Sequence, residues 1–274
     1  MKKIKLILSA AILSCICTIT HGQDFEVSPV ILNFNALPGN MQQNKITITN
    51  HAASRALFKI TVEDYSIDEN GVQKSEPKNS TNYSCAGWLS VSPSGLEIDP
   101  NSQGVINVAM SVPENTRQSR WCRIIISQTG EQTSFSADLN GSKHAGVNIF
   151  PQIAVDVFQT PKDFRDNNVK LMNLSELESE NCVRKFVVTA ENNGDAIVNG
   201  KIYILAANID NLLEYEIGKH NCTIFSGCTR VFKFDIKPDT LPVGIYDISA
   251  ILDMGPDSPL AGSRLKSTVT VNGQ

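Results

Sequence analysis

The chain has 274 residues, with 24 Lys and Arg against 28 Asp and Glu and a net charge of −4. This acidic balance argues against nucleic acid as a partner, because phosphate binding requires a basic face. It gives no support for docking on an anionic membrane either.

The first residues read as a targeting segment. Lys2, Lys3 and Lys5 precede an apolar or small run from Leu6 to Ile19, and His21-Gly22-Gln23 forms a polar, small-residue exit. The apolar core is too short and wrongly flanked for a stable membrane anchor, so residues 1–22 are expected to be a cleaved secretory signal. Ile12-Leu13-Ser14-Cys15 loosely resembles a lipoprotein cleavage box, and a lipid-anchored form is the lesser alternative. Cleavage after Gly22 leaves 252 residues with 21 basic and 28 acidic side chains, a net charge of −7. The Lys-rich start looks bacterial, so the expected location is the periplasm, with the cell surface as the alternative.

Downstream, the dominant period is two. Phe25 and Val27 share one phase; Val30, Leu32 and Phe34 share the opposite one. The slip falls at Ser28-Pro29, where proline removes a ladder donor. A first strand that breaks there and changes face suits a sandwich. Alternation continues through Ile46-Ile48, Phe58-Ile60-Val62, Ile106-Val108-Met110-Val112, Cys122-Ile124-Ile126 and Val147-Ile149 into Ile153-Val155-Val157. Asp68-Glu69-Asn70-Gly71 is a turn signal. Each run is short, mostly β-branched and bounded by Gly, Pro, Asn or Ser, the mark of half-buried strands.

Gln159-Thr160-Pro161-Lys162-Asp163 is polar and Pro-containing and reads as a linker. The pattern then resumes with Phe186-Val188-Ala190, Ile202-Ile204, Phe232-Phe234-Ile236, Tyr246-Ile248-Ala250-Leu252 and Val269-Val271. One helical candidate stands out, Leu171 to Glu180. The expected fold is therefore all-β, two immunoglobulin-like sandwiches in tandem over residues 23–160 and 161–274.

Five cysteines follow the signal. In an oxidising compartment they favour disulfides over metal or redox chemistry. Cys85 with Cys122 would close a loop of 36 intervening residues, worth roughly 3–4 kcal/mol by loop entropy. Cys222 with Cys228 is the second expected pair, leaving Cys182 free. Trp88 and Trp121 are expected to pack in the core beside cysteine. His51, His144 and His220 are isolated, and no HExxH, GxSxG, GxGxxG or P-loop occurs. The acidic run Glu176 to Glu180 lacks the Asp/Asn-and-Gly pattern of a calcium loop. The chain reads as a non-enzymatic binding protein that needs no cofactor and no metal.

The order of several motifs narrows this further. Phe25-Glu26-Val27-Ser28-Pro29, Pro38-Gly39, Lys45 to Asn50, Trp88 to Pro93, Leu96 to Pro100 and Ile106 to Pro113 together resemble the first domain of PapD-like periplasmic pilus-assembly chaperones. Leu241-Pro242-Val243-Gly244-Ile245-Tyr246-Asp247-Ile248 with Leu252-Asp253 resembles the closing hairpin of related exported domains. The resemblance implies a secreted or pilus-type subunit as partner, docked as an extended segment along the last strand of the first domain. Val147, Ile149, Ile153, Val155 and Val157 would be the strand-binding residues, with Lys143 as a basic anchor. The Ser28 to Ile31 region lacks the arginine that the family places on its first strand, and Pro151 interrupts the proposed edge. The first domain is also similar to the Ig-like domain of WxL-associated surface proteins, which implies the alternative of a cell-surface adhesion or cell-wall-binding module.

Overall fold

A computed structural model describes residues 24–129, 151–160, 168–180, 183–237, 240–256, 261–264 and 268–272. These residues form two β-sandwiches of the immunoglobulin type. Ten strands build the first: β1 (Phe25–Ser28), β2 (Ile31–Phe34), β3 (Met41–Asn50), β4 (Ala56–Ile67), β5 (Gln73–Glu76), β6 (Leu89–Ser92), β7 (Gly95–Ile98), β8 (Gln103–Ser111), β9 (Arg120–Thr129) and β10 (Gln152–Gln159). One sheet has the order β1-β3-β8-β6; the other runs β2-β10-β9-β4-β5, with β7 also on β4.

The alternation read from the sequence is what closes this core. Ile46, Ile48, Ile106, Val108, Met110, Cys122, Ile124 and Ile126 are all fully buried, while the residues between them are exposed or half-buried. The phase slip at Ser28-Pro29 is a change of sheet. β1 pairs antiparallel with β3, the chain passes through a cis Ser28-Pro29 peptide, and β2 pairs parallel with β10 in the opposite sheet. Phe25, Val27, Leu32 and Phe34 consequently point into one core from two leaves.

The second sandwich comprises β11 (Val169–Glu180), β12 (Val183–Asn192), β13 (Val198–Asn208), β14 (Glu214–Ile224), β15 (Thr229–Ile236), β16 (Gly244–Asp253), β17 (Ala261–Arg264) and β18 (Val269–Val271). Its sheets are β11-β12-β15 and β14-β13-β16-β17, with β18 also on β16. Phe186, Val188, Ile202, Ile204, Ile224, Phe234, Ile248 and Leu252 fill the space between them.

The helix expected over Leu171 to Glu180 is corrected by this arrangement. The segment is β11, paired antiparallel with β12, and its register shifts between Leu171 and Asn173. Leu171 and Leu174 are three apart, which suggests a helical face. The extra residue at the bulge brings both to the same side of a strand, and both are buried.

The sandwiches meet through a third cluster. Tyr65 and Trp121 from the first pack with Phe225 from the second, and Tyr83, Phe158 and Ile197 close around them. Trp121 stacks on Tyr83 at 4.6 Å and meets Phe225 edge-on at 4.8 Å. Trp121, expected in the core beside cysteine, thus serves the junction instead, while Trp88 packs against the first core. Backbone bonds join the same surfaces. Val231 N–H donates to Glu69 O at 2.7 Å, and Ser119 N–H to Asp195 O at 2.7 Å. The Asp68–Gly71 turn between β4 and β5 therefore also braces the second sandwich.

Candidate functional site

β10 is the last strand of the first sandwich, and its two edges differ. On one side it pairs with β9 along its whole length, from Gln152 opposite Ser127 to Gln159 opposite Arg120. On the other side β2 covers only Asp156 to Gln159. The contact begins where Asp156 N–H donates to Val30 O at 3.0 Å. Among the described residues no strand pairs the outer edge of Gln152 to Val155. Strand groups alternate with period two, so the N–H and C=O of Ala154 point the same way as those of Asp156, towards the unpaired side.

The site residues expected from the sequence separate on this geometry. Ile153 is half-buried at the margin of the core and belongs to the open half. Val155 and Val157 are completely buried; Val157 lies opposite Leu32 in the covered half. Their side chains serve the sandwich rather than an outside partner. Lys143, Val147 and Ile149 lie outside the described residues. Pro151 does not break the pairing on the inner side, where its carbonyl accepts from Gln128 N–H at 3.2 Å.

Sequence reasoning passed over Ala154, which is exposed and carries its backbone, not its side chain, to the free edge. Its signal is indirect. A small residue between apolar Ile153 and Val155 marks the solvent face of a strand.

Below the site, Cys122 on β9 faces Val157 of β10. Its sulfur lies 3.3 Å from that of Cys85, and both residues are fully buried thiols. The hydrogen bond to Cys85, and then burial, hold the Cys122 thiol well above its ordinary range. Cys222 and Cys228 are also thiols and occupy different clusters: Cys222 belongs to the second core, Cys228 to the aromatic junction. Burial pushes Cys222 up to about 11. Cys182 lies outside the described residues. No group of His, Cys, Asp and Glu among the described residues is arranged to hold a metal ion.

No family model and no curated protein matches the chain. Solved structures similar to it include a chain from a chaperone–tip adhesin complex of CFA/I fimbriae biogenesis, 14% identical with a TM-score of 0.49, covering 88% of this chain and 98% of that one. The class 5 fimbriae chaperone CfaA is 13% identical with a TM-score of 0.47, covering 88% and 97%. A chain from the Salmonella enterica SafA pilin–SafB chaperone complex is 13% identical with a TM-score of 0.45, covering 90% and 98%.

Proposed function

We propose that this chain is a non-enzymatic, chaperone-like protein of the periplasm that binds an extended segment of a secreted or pilus-type subunit by strand addition. The single observation that carries the reading is the half-open edge of β10. Gln152 to Val155 are paired with β9 on one side and have no strand partner among the described residues on the other. An incoming strand gains main-chain hydrogen bonds there without disturbing the sandwich, and Ile153 offers it an apolar contact at the core margin. An exposed edge of this kind is costly to leave unguarded, because it also templates aggregation. Its retention fits a protein whose work is to receive a strand.

The reading is tested by isolating the full-length protein from the bacterial periplasm and identifying what co-purifies. The expected outcome is a stoichiometric exported subunit, lost on Ile153→Asp while the fold is retained. If the chain returns alone, or if Ile153→Asp leaves capture unchanged, the edge is not the binding site. Capture by purified peptidoglycan instead would favour the adhesion or cell-wall alternative.

A further inference from the structure

The switch of sheet at Ser28-Pro29 leaves a second strand half covered. β3 pairs with β8 from Met41 to Thr49, while β1 covers only Thr47 to Asn50 on its other side. Asn50 N–H points to the β8 side, donating to Ser102 O at 2.9 Å, and His51 N–H points to the β1 side, donating to Asp24 O at 2.9 Å. By alternation, the N–H and C=O groups of Met41, Gln43 and Lys45 face the β1 side, where no strand pairs with them among the described residues. β2 runs along the same flank in the opposite sheet. Its Val30 and Phe34 carbonyls accept from Asp156 and Thr160 N–H, so the backbone groups of Asn33 and Asn35 turn away from β10.

This flank differs from the open half of β10 because two amide side chains cross it. Gln42 and Asn44 stand in the phase of the buried Ile46 and Ile48, where alternation calls for apolar residues. Instead, Gln42 Oε1 accepts from Asn35 N–H at 2.8 Å, and Asn44 Nδ2 donates to Asn33 O at 3.4 Å. Both bonds run from one sheet to the outward backbone of the other. They occupy the donor and the acceptor that a further strand would need in order to pair with β2. Inward-pointing polar side chains and edge lysines blunt exposed sheet edges, and Lys45 adds the lysine on β3. Among the described residues no side chain caps the backbone of Ala154 in this way.

We propose that Gln42 and Asn44 are specificity-determining residues: they close the β2–β3 flank to strand addition and leave β10 as the edge that receives an extended segment. Only the second half of this statement rests on the strand-binding reading of β10. The closing of the flank stands on its own bonds.

Native-state hydrogen exchange, followed by NMR on the unaltered protein without a client, reads the closing directly. Corrected for sequence, Asn35 N–H is expected to exchange at least about tenfold more slowly than Gln43 N–H, the scale of one hydrogen bond. Gln42→Glu keeps an acceptor and is expected to keep that protection; Gln42→Val is expected to remove it. A second readout is mass by light scattering. Gln42→Val with Asn44→Val is placed in an Ile153→Asp background, so that β10 carries a charge, and checked for native circular dichroism. Its mass is expected to rise above that of Ile153→Asp alone, as copies pair through the opened flank. Three results would overturn the proposal: equal exchange at Asn35 and Gln43, protection of Asn35 that survives Gln42→Val, or an unchanged mass in the folded triple variant. Should the triple variant fail to fold, the exchange rates of the unaltered chain and of Gln42→Glu still decide it. Neither readout involves a client, so failure here is distinct from failure of capture at β10.

Discussion

Asn50 and Asn192 occupy matching places in the two sandwiches, each fully buried at the end of a strand. Asn50 Nδ2 donates to the carbonyls of Ser54, Ile98 and Asp99, and its Oδ1 accepts from Ala52 N–H. Asn192 Nδ2 donates to Ala196 and Ile224, and its Oδ1 accepts from Gly194 N–H. The bonds to Ile98, Ala196 and Ile224 are buried, and each supplies a donor to a carbonyl held away from water. Asn192→Ala is therefore expected to destabilise the second sandwich by about 2–4 kcal/mol, the sum of a lost hydrogen-bond set and orphaned acceptors, measured by urea unfolding. A loss under about 0.5 kcal/mol would contradict that role. The cysteines give two further tests. Protein recovered from an oxidising compartment is expected to carry a Cys85–Cys122 bridge, each thiol losing one hydrogen and the electron pair passing to a disulfide oxidant. Mass spectrometry finding both thiols free after denaturation refutes this. Cys222 titrates above its ordinary value near 9 because it is buried. The folded state then holds a proton that the unfolded chain releases, so the group's stabilising contribution is lost as pH rises from about 9 through about 11. Cys222→Ser is expected to remove that slope in thermal melts.

At the scale of the strand, the sequence disclosed what repeats and concealed what deviates. The runs around Ile106, Ile124, Phe186 and Ile248 are regular strands because central strands bury one face at every second residue. β11 was disguised by its bulge. β14 was invisible as a run, because Glu214 to Ile224 buries only Ile217, Cys222 and Ile224: it is an edge strand, and its partner slips register at Ile204. The candidate edge was half legible. Ile153, Val155 and Val157 stand in phase, yet alternation does not say which half of β10 another strand covers. That is decided by how far β2 reaches. Ala154→Pro exploits the distinction. Proline there removes only the outward N–H, a tolerated change on an open edge. The expected result is a native melting temperature within a few degrees of the parent and at least tenfold weaker capture of the exported subunit by pulldown. Undiminished capture would rule out this edge as the proposed binding site.

For the molecule as a whole, the junction was the least readable feature. Tyr65, Trp121 and Phe225 lie far apart in the chain, and each is an ordinary aromatic residue in a strand or turn. Only the folded arrangement reveals that they share a cluster. We propose that the division falls near Thr160, with residues 23–160 and 161–274 folding as separate cores coupled through this contact. Phe225→Ala removes its centrepiece, and large aromatic truncations in packed cores cost about 3–5 kcal/mol. In scanning calorimetry the single transition expected of the intact protein should split into two. One undivided transition in the variant would show that the cores do not need the aromatic contact to unfold together.

The parallel pairing of β2 with β10 also has a consequence in time. Ile31 sits opposite Asp156, so a segment made near the beginning of the chain finds its neighbour only when the last strand of that sandwich arrives. A chain made from its amino end leaves Ile31 to Phe34 waiting, with loop closure still to be met before any reward from that ladder. The β2–β10 ladder of the first sandwich is thus the part of its fold that closes over the longest stretch of chain.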